Sequence, residues 1–212
     1  MKVLLINGSM HKNGCTYTAL SVLADELRQR SVETEIAWIG NRPIQGCIGC
    51  WKCKKQERCV FENDIVNSLL EKIKEADGYI FGSPVYFASA NGAMVTAMDR
   101  IFTAGAGYFS YKPGAVICSA RRAGTTATFD QMNKYLMMNK MIVLPSPYWN
   151  MVHGNKPEEV LQDEEGIANM RSLGMSMAWM LKLLRFGKEN EIVCPDDIPK
   201  IKTNFIREQI KL

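Results

Sequence analysis

Nothing in this 212-residue chain is long and apolar enough to cross a membrane. Apolar runs such as residues 3–6 and 79–81 fall far short of the roughly 18–20 residues a spanning helix needs. Near Met1 there is no basic segment followed by an apolar stretch and a small-residue cleavage site, so no signal peptide is expected. Charge of one sign is not in excess. A formal net charge of +4 is too weak to argue for a nucleic-acid partner. Internal repeats and low-complexity linkers are absent. The seven cysteines do not pair off evenly, and without an export signal disulfides are not expected. The expected compartment is the reducing cytoplasm. Two phosphate-binding fingerprints, G-x-x-x-x-G-K-[ST] and G-x-G-x-x-G, are also missing.

What is there is an alternation of apolar strands and amphipathic helices. Residues 2–7 (K-V-L-L-I-N) form a continuous branched run, expected as a strand buried on both faces. Further strands are expected at 33–39, 77–83, 115–119 and 141–144, with helical periodicity between them. Asn63 is expected to cap the helix that follows the second strand. Residues 84–90 and the aromatic stretch 146–154 read as loops, and 164–185 as a long helix. The expected fold is an α/β, flavodoxin-like, doubly wound five-stranded parallel sheet of order 2-1-3-4-5, with helices on both faces. One domain spans residues 1–189, and a charged tail, residues 190–212, carries a final helix from about Pro199.

Ligands of such sheets bind outside the C-terminal strand ends, at the switch point beside the first strand. Three loops converge there. The first carries Ser9, His11, Asn13, Gly14, Cys15 and Thr16 at the start of a helix, where free amides and the helix dipole suit a phosphate. An ordinary polar turn explains the same residues. The second, Pro84, Val85, Tyr86 and Phe87, suits a flat ring, or else core packing. The third offers Ser119, Arg121 and Arg122, a cation source or a solvated turn. Phosphate, ring and cation together match FMN, whose reduced anionic form a cation near the pyrimidine end would favour. His153 could donate a proton to a quinone-type acceptor, or bond to backbone.

Residues 44–60 hold Cys47, Cys50, Cys53 and Cys59 at C-x2-C-x2-C-x5-C spacing. The first reading is a set of free thiols in a loop over the flavin, with no metal. The alternative is a [4Fe–4S] cluster, since close spacings bring thiolates together around a cube. Zinc is a third reading, although four-cysteine zinc sites usually come as two separated C-x2-C pairs. Cys118 reads as core and Cys15 as a small filler.

With I-N-G-S-M-H-K-N-G at 6–14, G-C-I-G-C-W-K-C at 46–53, G-S-P-V-Y-F at 82–87, N-G-A-M-V-T-A-M-D-R at 91–100 and Y-W-N-M-V-H-G at 148–154, the chain resembles the flavodoxin-like NAD(P)H-dependent FMN reductases, near their iron–sulfur flavoprotein branch. The first loop departs from the family's S-P-R-x-N-G-N-T at Met10, His11 and Cys15. The resemblance implies a non-covalent FMN, NAD(P)H as co-substrate, and electron transfer to a quinone, flavin or other small acceptor. It implies a homodimer or tetramer. Hydride chemistry would then belong to the flavin, with no side-chain nucleophile. An electron carrier holding FMN and a [4Fe–4S] cluster, and a redox-sensing flavoprotein, are the alternatives.

Overall fold

In a computed structural model of the chain, residues 1–196 and Ile198 are described. The final helix expected from about Pro199 lies outside them.

The elements run β1 (Lys2–Asn7), α1 (Cys15–Gln29), β2 (Glu33–Trp38), α2 (Cys53–Gln56), α3 (Val66–Glu75), β3 (Gly78–Tyr86), β4 (Ser89–Ala90), α4 (Gly92–Ala104), a short 3-10 turn (Ala106–Tyr108), β5 (Pro113–Ala120), α5 (Thr125–Met138), β6 (Ile142–Val143), β7 (Met151–His153), α6 (Pro157–Val160) and α7 (Glu164–Glu189). The sheet order is β2-β1-β3-β5-β6, all parallel. This is the doubly wound fold expected, with β5 as the fourth long strand.

The continuous apolar run of β1 has the expected cause. With a side-chain period of two, Val3 and Leu5 enter one core with α1 and α7, while Leu4 and Ile6 enter the other with α3, α4 and α5. In the second core Phe109 is fully buried. Its ring lies 4.4 Å from that of Phe102 and 5.0 Å from that of Tyr79.

Three expectations need correction. The fifth strand is broken. β6 pairs with Pro113 and Gly114, and β7 pairs with Cys118 to Ala120 further along the same strand. Pro145 and Pro147 fall between the two pieces, where an imide nitrogen cannot donate to a ladder. Residues 151–153 are therefore strand, not aromatic loop. Second, β3 runs on to Tyr86 and folds back as a hairpin with β4 around Phe87 and Ala88. Third, α3 begins at Val66, not at Asn63. No side chain caps Ile65, but Asp64 Oδ1 accepts the Val66 N–H at 3.1 Å.

At the outer edge of the sheet, Glu35 on β2 bonds both Lys72 on α3 and Lys2 on β1. Hydrogen bonds from Lys72 and then Lys2 hold its carboxyl below the usual carboxylate range, against the opposing effect of burial. A depressed carboxyl stabilises the fold above its unfolded pKa and loses that contribution as pH falls through its folded value. Since solvent screens these partly exposed groups, Glu35→Gln should cost only about 0.5–1 kcal/mol at pH 7. The cost should shrink at pH 3, below the ordinary carboxylate pKa, read from urea midpoints at both pH values.

The hairpin yields a second expectation. Phe87 and Ala88 have φ of 51° and 56°, the pair of left-handed residues a two-residue hairpin turn of this hand requires, without a glycine at either. Ala88→Gly removes roughly 1 kcal/mol of steric cost. The unfolding midpoint should rise. A fall would show that the turn is not strained at Ala88.

Candidate functional site

A cavity of about 510 Å³ opens at the C-terminal ends of β1, β3, β5 and β7. It brings together eleven residues expected from sequence: Ser9, His11, Asn13, Gly14, Cys15, Thr16, Pro84, Val85, Tyr86, Ser119 and Arg121. Phe87, Arg122 and His153 are not among its lining residues. Phe87 is fully exposed at the hairpin tip, and Arg122 faces solvent. His153 is turned to Asp163, with Nδ1 3.7 Å from Oδ2 while its backbone N–H donates to the same oxygen at 2.6 Å.

The first loop is held from three sides. Asn7 Oδ1 accepts the Ser9 N–H at 3.1 Å, and Asn7 Nδ2 donates to the Lys12 carbonyl at 3.0 Å. Trp38 Nε1 donates to the Ser9 carbonyl at 2.6 Å, and Asn91 Nδ2 to the Gly8 carbonyl at 3.1 Å. Gly8 is required by this packing. A Cβ there would lie 2.8 Å from the Gly82 carbonyl oxygen and 2.7 Å from Met94 Sδ. α1 then starts with Gly14 as an extended N-cap and no side-chain cap bond. Its first amides, at cavity-lining Cys15 and Thr16, have no partner within the helix.

Thr16 Oγ1 and Ser119 Oγ lie 2.8 Å apart and join the first loop to the third. The Cys15 thiol donates to the Gly154 carbonyl at 3.5 Å. Burial, then Glu159 and Glu158, raise the pKa of that thiol and keep it a donor. Gly124, at φ 93°, starts α5 with its backbone against the hairpin, where a Cβ would meet Ala88 Cα at 2.8 Å.

Ala120 and the segment Gly154, Asn155, Lys156 and Pro157 complete the lining and were not expected. Placing the fifth strand at 141–144 hides that segment. The signal was Pro157 at a helix start three residues after Gly154, which marks a strand-to-helix loop at the same sheet edge. Lys156 adds a second cation beside Arg121.

The cysteine stretch does not overhang this cavity. Cys47, Cys50, Cys53 and Cys59 line a separate one of about 270 Å³ with Trp51, Phe61, Arg100 and Thr103, and the two share no residue. Asn91 bonds the first loop at Gly8, and Arg100 lies nine residues further along α4. At 1.5 Å per residue, that is about 13 Å of helix. Among the described residues, no three His, Cys, Asp or Glu side chains are grouped so as to hold a single metal ion. Cys53 is buried, and burial raises its thiol pKa first, with Cys50, Cys59 and Cys47 adding to the effect. Cys118, fully buried in β5, is pushed up to about 12 by desolvation and is chemically inert core, as expected.

Comparison with known proteins places the chain. An iron–sulfur flavoprotein of Methanocaldococcus jannaschii is 30% identical over 193 residues, covering 87% of this chain and 100% of that protein. An iron–sulfur flavoprotein of Methanosarcina thermophila is 24% identical over 194 residues, covering 89% and 100%. Among solved structures, RosB with a bound 8-demethyl-8-formylriboflavin-5'-phosphate intermediate superposes with TM-score 0.68 at 15% identity, covering 100% of this chain and 94% of that one. A flavodoxin from the domain Archaea gives 0.59 at 16%, covering 86% and 99%. Both confirm the flavodoxin-like fold. Residues 1–156 match the family described as NADPH-dependent FMN reductase, and the chain therefore belongs to that family of FMN-dependent oxidoreductases.

Proposed function

We propose that the protein takes electrons from NAD(P)H through FMN held in the 510 Å³ cavity and delivers them to a quinone, a flavin or another small acceptor. The observation that carries this reading is the convergence of the first, second and third loops on that one cavity. The amides of Cys15 and Thr16, with the side chains of Ser9, Asn13 and Thr16, are the phosphate donors. Pro84, Val85 and Tyr86 supply the wall for the ring, and Arg121 and Lys156 the cations. When bound, FMN supplies hydride and single-electron chemistry. The side chains orient it and keep water off one face.

A second reading adds a [4Fe–4S] cluster held by Cys47, Cys50, Cys53 and Cys59, making the protein an electron carrier as well. Two observations favour it: all four thiols line one cavity, and the relatives above are named iron–sulfur flavoproteins. The donor set fits. Thiolates are the ligands such clusters need, and three of the four arrive from one compact loop. Among the described residues no grouping suited to a single ion is found, which gives zinc no comparable support.

Protein purified without oxygen should show flavin absorption, bleached by NADPH or NADH. Broad iron–sulfur absorption with about four irons per chain would establish the second reading. Flavin that neither copurifies nor binds on addition would end the first. Thr16→Val removes a donor to the phosphate and the tie to Ser119. FMN affinity should fall about tenfold, the equivalent of ~1.4 kcal/mol, measured by flavin fluorescence. Unchanged affinity would place the phosphate elsewhere.

A further inference from the structure

Arg100 is the largest fully buried side chain of the described residues, 1% exposed, and it sits against the thiol cavity. Its Nε donates to Cys59 Sγ at 3.2 Å. Nη1 donates to the Gln45 carbonyl at 3.0 Å and to Asp64 Oδ2, and Nη2 to the Phe61 carbonyl at 3.2 Å. The guanidinium carbon lies 5.3 Å from the centroid of the Phe61 ring. Cys59 is fixed a second time by buried Asn67, whose Oδ1 accepts the Cys59 N–H at 2.9 Å and whose Nδ2 donates to the carbonyls of Cys59 and Phe61, both at 3.0 Å. Cys47 and Cys50, by contrast, are exposed. The site is therefore asymmetric, with one sulfur locked by a buried cation and two at its open side.

We propose that Arg100 is the positioning and potential-setting residue of the four-thiol site, holding Cys59 in place and favouring the more negative state of whatever redox centre the thiolates carry. The inference rests on the [4Fe–4S] reading. Hydrogen bonds to the ligand sulfurs and nearby charge are two of the levers that set such potentials. Reduction adds one electron to the centre, supplied in the test by dithionite, and makes or breaks no bond. A buried positive charge beside a sulfur favours that added electron. Asp64, paired with Arg100, opposes it. The two residues should therefore act with opposite signs.

The experiment compares the wild-type protein with Arg100→Gln, Arg100→Lys and Asp64→Asn after anaerobic reconstitution with iron and sulfide. Readouts are iron per chain, flavin content and the midpoint potential of the iron–sulfur signal by redox titration. Arg100→Gln should lower the midpoint, and Asp64→Asn should raise it. Arg100→Lys keeps the charge but not the planar fork, so its midpoint should stay nearer wild type while less iron is retained. A purely structural role predicts lost iron with no ordered shift in the midpoint of what remains. If Arg100→Gln comes out without flavin, its fold is lost, and Asp64→Asn decides: a raised midpoint beside a near-wild-type Lys variant supports the inference, and an unshifted or lowered one overturns it. Wild-type protein that takes up no iron overturns the cluster reading and the inference with it. Wild-type protein that takes up iron, with the midpoints of Arg100→Gln and Asp64→Asn unshifted or shifted in the same sense, overturns the inference alone.

Discussion

The buried pair of Arg100 and Asp64 is the constraint on which one side of the molecule depends. It joins α4 to the long crossover between β2 and α3, a segment with little regular structure beyond the short α2. Such a segment pays a large ordering cost and needs specific anchors. Arg100 supplies several at once, taking carbonyls from both flanks of the cysteine stretch. Burial alone would push the Asp64 carboxyl up and the guanidinium down. For each, the hydrogen bonds win: those from Arg100, Val66 and Gln45 hold Asp64 below the usual carboxylate range, and those to Asp64 and Cys59 hold the guanidinium up. Removing one partner of a pair this deep typically costs about 3–5 kcal/mol, because the other is left charged and unpaired. The pair is thus less a source of stability than a commitment. Once both groups are buried, the crossover has one way to close over them.

The opposite edge of the molecule is governed by strand direction. In an all-parallel sheet every strand delivers its following loop to the same edge. Side-chain ties then hold those loops at one distance. Thr16 with Ser119 joins the first loop to the third, Cys15 with Gly154 joins the first to the segment after β7, and Asn91 at the start of α4 reaches Gly8 beside the first. The broken fifth strand contributes here too. Because β7 pairs level with the end of β5, its exit loop reaches the cavity, which the exit from β6 would not.

What could be read from the sequence follows from which interactions are local. The buried strands, the sheet order and eleven cavity residues were legible because period-two apolar runs and loop position depend on neighbouring residues. The hairpin was not, since Phe87 and Ala88 adopt left-handed backbone without the Gly or Asn that announces it. Nor was β7, short and framed by an aromatic stretch. Phe87, Arg122 and His153 were chosen by residue type, and type does not set direction. The tip of a hairpin points Phe87 outward, and Asp163 claims His153. For the cysteines, spacing groups the four thiols in one place and says nothing of where that place lies. It says nothing of a guanidinium 41 positions from Cys59 that decides where the loop lies.

That guanidinium also explains how two separate cavities share one frame. α4 buries Met94, Ala97, Met98 and Ile101 in the core, so it cannot slide along its axis without breaking close packing. Its first turn is keyed to the loops of the larger cavity through Asn91, whose N–H donates to Ser83 Oγ at 2.9 Å and whose side chain reaches Gly8. Its later turns are keyed to the thiol cavity through Arg100 and through the Thr103 carbonyl, 4.0 Å from Cys53 Sγ. The spacing of the two cavities is therefore fixed by the rise of one helix rather than by the stretch that carries the cysteines. A change in that stretch can alter how the thiols are held. It cannot move the thiol cavity relative to the loop cavity while α4 stays packed.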